Sequence, residues 1–174
     1  MEFQILDALQ KIHTPIIDTL MCGITRLGDA GMIWILLCIV LLLMPKTRKS
    51  GMVLLAALLV DLLICNVILK PTIQRIRPFD VITDIELLVK RPLDYSFPSG
   101  HTAASFTSVM ALYLAGEKKL WIPALVLAVL IAFSRLYLYV HYPTDVLGGV
   151  IIGVISGALG YWLVKKAEES KKRK

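Results

Sequence analysis

Ser134-Arg135-Leu136-Tyr137-Leu138-Tyr139-Val140-His141-Tyr142-Pro143-Thr144-Asp145 is the stretch on which the reading of this chain turns. It joins the end of one very apolar segment to the start of the next, and it sets an arginine, a histidine and an aspartate where no soluble domain surrounds them. The chain has 174 residues, 57% of them hydrophobic, with a mean hydropathy of +0.73. Ordinary soluble domains are about half apolar by such a count. The size and composition therefore indicate one membrane domain over residues 1–174, an all-α integral membrane helical bundle of about six helices.

The net charge of +6 does not point to nucleic acid, because the basic residues fall in short loops and at the tail, where they signal membrane topology. Cys22, Cys38 and Cys65 lie in apolar segments without metal-type spacing and read as buried thiols. The N-terminal residues lack the basic region, apolar run and cleavage site of a removable signal, so they are expected to be retained.

Working outward from the opening stretch, apolar segments at about 119–139 and 145–164 flank it, and further ones lie at about 31–44, 51–69 and 101–116. Residues 1–14, with Phe3, Ile5, Leu6, Leu9 and Ile12 at roughly helical spacing, read as an interfacial amphipathic helix broken at Pro15. Residues 16–27 are short for a span; they form either a first span continuous with that helix or a helix only partly inserted. Residues 70–100 form a long polar loop, a functional candidate on length alone. Residues 165–174 read as a charged, frayed tail.

Lys46, Arg48 and Lys49, then Lys118 and Lys119, then the tail all fall on one side when the spans are counted. By the positive-inside rule that side is cytoplasmic. Loop 70–100 and the turn 140–145 then lie together on the extracytoplasmic face of a multi-pass plasma-membrane protein. Trp121 and Trp162 fall near the inner interface, and Trp34, Tyr139 and Tyr142 near the outer one, as in an aromatic belt; Tyr139 and Tyr142 could instead line a substrate groove. Gly149, Gly153 and Gly157 recur every four residues and predict close helix packing. Asp61 and Asn66 are polar residues inside an apolar segment and must face protein or water; Asn66 lies one turn from Lys70, whereas Asp61 has no obvious partner.

Three polar clusters meet on that face. In Lys70-Pro71-Thr72-Ile73-Gln74-Arg75-Ile76-Arg77-Pro78, the cations either anchor a helix end by snorkelling or bind phosphate, Arg77 as a planar fork and Lys70 as a point charge; Arg75 could do either. In Pro98-Ser99-Gly100-His101, Ser99 is a suitable N-cap, Gly100 admits a ligand to the backbone, and a helix N-terminus attracts anions. In the opening stretch, Asp145 follows His141 by four residues; a carboxylate accepting from one imidazole nitrogen leaves the other as a nucleophile. Cations, a nucleophile and a proton donor are what phosphoryl transfer needs. No nucleotide-binding glycine loop is present, and Asp80, Asp84, Glu86 and Asp94 are too scattered to suggest a Mg²⁺ cluster, so a metal-free phosphohistidine route without cofactor fits best.

Lys70…Arg77-Pro78, Pro98-Ser99-Gly100-His101 and Ser134-Arg135…His141…Asp145 resemble, in order and in every spacing, the three signature motifs of the type 2 phosphatidic acid phosphatase (PAP2) superfamily, over roughly residues 50–165. The resemblance implies that Lys70, Arg77, Ser99, Gly100 and Arg135 bind phosphate. It implies further that His141 attacks phosphorus, Asp145 orients it, and His101 protonates the leaving oxygen. Vanadate is expected to mimic the phosphate, because the vanadium haloperoxidases share this pocket. The partners implied are a phosphorylated lipid and the bilayer. The small size resembles bacterial members that act on undecaprenyl diphosphate, the carrier lipid of cell-wall synthesis. Phosphatidylglycerol phosphate or phosphatidic acid is the alternative substrate, and a non-catalytic lipid-binding or lipid-translocating protein is the alternative of another class. Loop 79–97 is expected to shape the choice of lipid.

Overall fold

Proline and glycine punctuate the chain into helices whose order places the polar clusters at one end. The computed structural model describes residues 1–172, and among these every regular element is helical. The elements are α1 (Glu2–Gln10), α2 (Pro15–Leu27), α3 (Met32–Leu43), α4 (Arg48–Asp61), α5 (Lys70–Ile73), α6 (Pro78–Val81), α7 (Gly100–Leu114), α8 (Trp121–Tyr137) and α9 (Pro143–Lys172). The run Arg48–Val81 and helix α9 are each long and apolar enough to cross a bilayer, and α2 with α3 forms a third such unit bent by 45°.

Residues 16–27 thus lie in a helix of their own that is bent by 45° from the one that follows. Thr14 caps α2 by accepting from the Ile17 amide, and Pro15 opens it at a position where no intrahelical donor is missed. Along α8, α2 reaches only from Tyr137, whose hydroxyl donates to Asp18, down to Ile131, beside Gly28. A turn at Asp29–Gly31, with Ala30 at φ +50° and Gly31 at φ +70°, then redirects the chain into α3. The helix bearing Lys70 is irregular for a local reason. Pro71 has no N–H for the carbonyl four residues back, and the preceding turns, Leu62–Leu69, widen to π winding.

The core lies among α3, α4, α7, α8 and α9. Trp34 is buried within it and donates its indole N–H to Ser105 Oγ at 3.0 Å. It is therefore a core residue, not part of an outer aromatic belt. Tyr139 and Tyr142 leave the belt as well: α1 covers them, packing Phe3 and Leu6 on their rings while Asp7 accepts from the Tyr139 hydroxyl. At the opposite end, Ser50 donates to Glu117 at 2.6 Å and Lys49 to Glu168 at 2.5 Å. The expected charged tail is a continuation of α9 as far as Lys172; residues 173–174 lie outside the described residues.

The glycine stripe on α9 is a packing surface. A Cβ on Gly153 would lie 2.5 Å from the Ala103 carbonyl oxygen and 2.8 Å from Phe106 Cβ; one on Gly149 would meet the Ser99 carbonyl at 2.8 Å. Helix α7 therefore rests directly on the α9 backbone. Gly153→Leu must push α7 outward and carry Gly100–His101 with it. The expected outcome is a destabilisation of about 1–3 kcal/mol, read as a lower thermal midpoint in detergent; an unchanged midpoint would show that the interface yields freely.

Candidate active site

Lys70, Arg77, Gly100, His101, Arg135 and His141 converge on one cavity of about 420 Å³. They come from α5, the turn before α6, the first turn of α7, the end of α8 and the segment between α8 and α9. Three buried cations thus surround one space. Arg77 is only 3% exposed, Arg135 4% and Lys70 8%, whereas snorkelling side chains would reach for water.

Arg77 is held on both edges. Its Nε donates to the Asp94 carbonyl at 2.8 Å, one Nη to the Val140 carbonyl at 2.7 Å and the other to Asp94 Oδ1 at 2.6 Å. Lys70 Nζ donates to the other oxygen of the same carboxylate. Burial alone would raise the Asp94 carboxyl, but the hydrogen bond and charge of Lys70, followed by those of Arg77, outweigh it and hold the group at about 2. Asp94 is thus an anion clamped between two of the three cations. Arg135 donates to the Thr25 hydroxyl, and its buried Nε has no partner.

His141 is almost wholly buried. Burial pushes its imidazole well below the ordinary histidine range, and Arg77, Arg135, Lys70 and His101 push the same way. The ring is therefore neutral, with a free lone pair. Arg77 Nη1 lies 3.2 Å from His141 Nε2, and a guanidinium can only donate. That fixes Nε2 as the lone-pair nitrogen and places the proton on Nδ1. Asp145 Oδ2 lies 3.4 Å from Nδ1, yet no hydrogen bond joins them, and Nδ1 has no partner. The carboxylate is already engaged: Oδ2 accepts from Ser96 Oγ at 2.5 Å and from the Tyr142 amide at 2.9 Å, and Oδ1 accepts from Arg75 at 2.6 Å.

His101 stands across the cavity. Its Nε2 donates to Asp29 Oδ1 at 2.9 Å, and Gly28 leaves room for the ring, since a Cβ there would sit 2.8 Å from it. Gly100 faces Lys70 and Asn66: a Cβ on it would lie 3.5 Å from both Lys70 Nζ and Asn66 Oδ1. Ser99 is fully buried and does not line the cavity. It occupies the N-cap position without capping. Its hydroxyl accepts from Thr102 Oγ1 at 3.0 Å, and its amide donates to the Asp145 carbonyl at 3.1 Å.

Six of the eight residues singled out from sequence therefore line the cavity, with Ser99 and Asp145 directly behind them. Thr25, Asp29, Ser96 and the anionic role of Asp94 were not foreseen. Asp29 had one available signal, a lone acid between glycines at the break of two apolar segments. Arg75 is turned away from the cavity, onto Asp145 and Glu2.

A second cavity of about 590 Å³ adjoins the first and shares Lys70, Asp94, Gly100 and His101 with it. It is largely apolar, running between α3 and α4 past Ile35, Ile39, Leu55 and Leu59 to Asp61, one of whose carboxyl oxygens is buried without a partner.

The family model described as PAP2 superfamily matches residues 50–169. An undecaprenyl-diphosphatase of Sulfolobus acidocaldarius is 36% identical over 121 residues, covering 70% of this chain and 58% of that protein. Phosphatidylglycerophosphatase B of Bacillus subtilis is 37% identical over 174 residues, covering 93% of this chain and 80% of that protein. The crystal structure of Aquifex aeolicus LpxE superposes with a TM-score of 0.79 at 28% identity, covering 91% of this chain and 93% of that one. With the motifs, the helical bundle and the shared cavity on one chain, this membrane protein belongs to the PAP2 superfamily of lipid phosphatases.

Proposed function

We propose that the protein dephosphorylates a polyprenyl diphosphate at the extracytoplasmic membrane surface through a phosphohistidine on His141. The observation that carries this reading is the junction of the two cavities: a cationic chamber for phosphate adjoins an apolar groove between helices, with Lys70, Asp94, Gly100 and His101 lining both. In the proposed reaction, the terminal phosphate displaces the Asp94 carboxylate from Lys70 and Arg77 and meets the free donors of Arg135 and the α7 amides. His141 Nε2 attacks phosphorus as the bond to the bridging oxygen breaks. His101 gives that oxygen a proton, and Asp145 stabilises the imidazolium that forms on His141. Water then gives a proton back to His101 as it cleaves the N–P bond, which releases phosphate and regenerates both imidazoles. This route uses no metal.

A diphosphate is favoured by a second set of cations. Arg26, Lys90 and Arg91 also line the chamber, beyond the three that surround His141. Arg91 is already bound to Asp80, which leaves Arg26 and Lys90 for a second phosphate. A lipid monophosphate such as phosphatidic acid would leave these two exposed cations to water. Phosphatidylglycerol phosphate is the second reading, because it too carries two phosphates and the phosphatidylglycerophosphatase relative aligns over most of both chains.

Three outcomes are expected. Purified protein in detergent releases phosphate faster from an isoprenyl diphosphate than from phosphatidylglycerol phosphate or phosphatidic acid. EDTA leaves the rate unchanged and His141→Ala abolishes it; a faster rate on phosphatidylglycerol phosphate would replace the substrate, and an active His141→Ala variant would remove the mechanism. Asp94→Asn binds orthovanadate several-fold more tightly, because the neutral amide no longer competes for Lys70 and Arg77; weaker binding would show that Asp94 positions Arg77 instead. A cysteine at Thr83, an exposed site in the 82–99 loop, is labelled from outside intact cells in a Cys22→Ser background. Labelling only after lysis would reverse the orientation.

A further inference from the structure

Behind the cavity, remote from the phosphate chamber, runs a second chain of charges. Glu2 Oε2 accepts from Arg75 Nη2 at 2.6 Å, and Arg75 Nη1 donates to Asp145 Oδ1 at 2.6 Å. The same Nη1 reaches Thr144 Oγ1 at 2.6 Å, and Thr144 in turn donates to Glu2 Oε1 at 2.6 Å. The guanidinium carbon lies over the Tyr142 ring, 3.9 Å from its centroid. Phe3 meets the same ring edge-on at 5.5 Å. Arg75 is therefore clamped by α1 on one side and by the start of α9 on the other.

We propose that Arg75, locked by Glu2, is a positioning residue that sets the orientation of Asp145 and, through it, the reactivity of His141. This rests on the phosphohistidine reading above. Asp145 is completely buried, so rotation of its carboxylate is controlled by its partners. Ser96 and the Tyr142 amide hold Oδ2, the oxygen 3.4 Å from His141 Nδ1, while Arg75 alone holds Oδ1. Removing Arg75 frees half of the carboxylate and withdraws the positive charge that tempers it. A guanidinium that bridges two carboxylates from its two Nη atoms fixes direction as well as charge, which an ammonium does not reproduce. Glu2 supplies the other half of the clamp from a helix that contributes nothing to the chamber itself.

His141 is faced by Lys70 from α5, Arg77 from the turn before α6, His101 from α7, Arg135 from α8 and Asp145 from α9, with Asp94 behind Lys70 and Arg77. Burial and the cations favour the neutral ring, and the Asp145 carboxylate, 3.4 Å from Nδ1, is the acid nearest to it. Without Arg75, one cation fewer opposes a positive charge on the ring, and the balance moves toward imidazolium. The acid limb of kcat/KM, which reports the free enzyme, should then move to higher pH.

The test is steady-state phosphate release by the full chain in detergent, comparing wild type, Arg75→Met, Arg75→Lys, Glu2→Gln and the Glu2→Gln/Arg75→Met double variant. Arg75→Met should lower kcat by about tenfold to a hundredfold with little change in KM, and should raise the acid limb. Arg75→Lys should recover part of the loss. Glu2→Gln should lower kcat less, and should add nothing once Arg75 is gone, the signature of a shared path. Orthovanadate inhibition retained within twofold shows the phosphate chamber intact; should Arg75→Met lose it, Glu2→Gln and Arg75→Lys carry the comparison. Wild-type rates and pH profiles in these variants, or independent additive losses in the double variant, would overturn the inference alone. No release by the wild-type protein would overturn the phosphatase reading itself, and this inference with it.

Discussion

Three buried cations around one cavity require an anion among them. Lys70, Arg77 and Arg135 are almost removed from water, and a buried charge without a partner costs several kcal/mol. Asp94 answers for Lys70 and Arg77, but Arg135 has only the neutral Thr25 hydroxyl. The chamber is therefore under-neutralised, and a doubly charged phosphate completes it better than one carboxylate does. Burial and the same field keep His141 neutral, so in the proposed reaction the positive charge that attracts the phosphate also preserves the lone pair that attacks it. One electrostatic condition serves both binding and reactivity.

Like charges held this closely would drive the elements apart unless the scaffold were stiff. Helix α7 is seated on the glycine face of α9, where a Cβ on Gly149, Gly153 or Gly157 would lie 2.5–2.8 Å from an α7-side carbonyl oxygen. The Ser99 amide is tied to the Asp145 carbonyl, and the Ser96 amide to the Arg75 carbonyl at 2.8 Å, so the strands of loop entering and leaving the site are cross-linked through backbone. The non-glycine residues with positive φ among those described, Ala30, Gln74 and Tyr139, all lie in turns bordering this region. Each such conformation costs of order 1–3 kcal/mol and persists only where the surroundings over-determine it. The Tyr139 turn is over-determined visibly, with α1 packed across it.

The helices and the six cavity-lining residues were legible because both leave local signals. Apolar runs end at Pro45, Lys46 or Pro98, and the spacing of Lys70, Arg77, His101, Arg135, His141 and Asp145 is itself a pattern. Contacts without local periodicity were not legible. Arg75 meets Glu2 across 73 positions, and His101 meets Asp29 across 72. Nothing in the sequence around Glu2 distinguishes it from an ordinary first-turn acid. Trp34, Tyr139 and Tyr142 were misplaced for a related reason: an aromatic near a span end suits a lipid interface equally well until a protein partner covers it, and here Ser105 and α1 do. Residues 16–27 were ambiguous because composition does not register a bend, and it is the turn at Ala30–Gly31 that joins α2 and α3 into one broken unit.

The two cavities share Lys70, Asp94, Gly100 and His101, and this seam relates the chemistry to the lipid. Of the four, Lys70 and Gly100 are fixed within helices and His101 is tethered to Asp29, whereas the Asp94 side chain is half exposed on a loop. Asp94 is therefore both the resident counter-ion and the least constrained part of the wall between chamber and groove. An incoming phosphate that displaces it gains two cations and removes that part of the wall in one event. A free inorganic phosphate can claim the cations but has nothing to place in the groove. A lipid phosphate fills both spaces, so the apolar contacts of the tail add to the displacement of the same carboxylate. In the proposed reaction, discrimination between lipid and free phosphate then needs no separate recognition element, because it follows from where Asp94 sits.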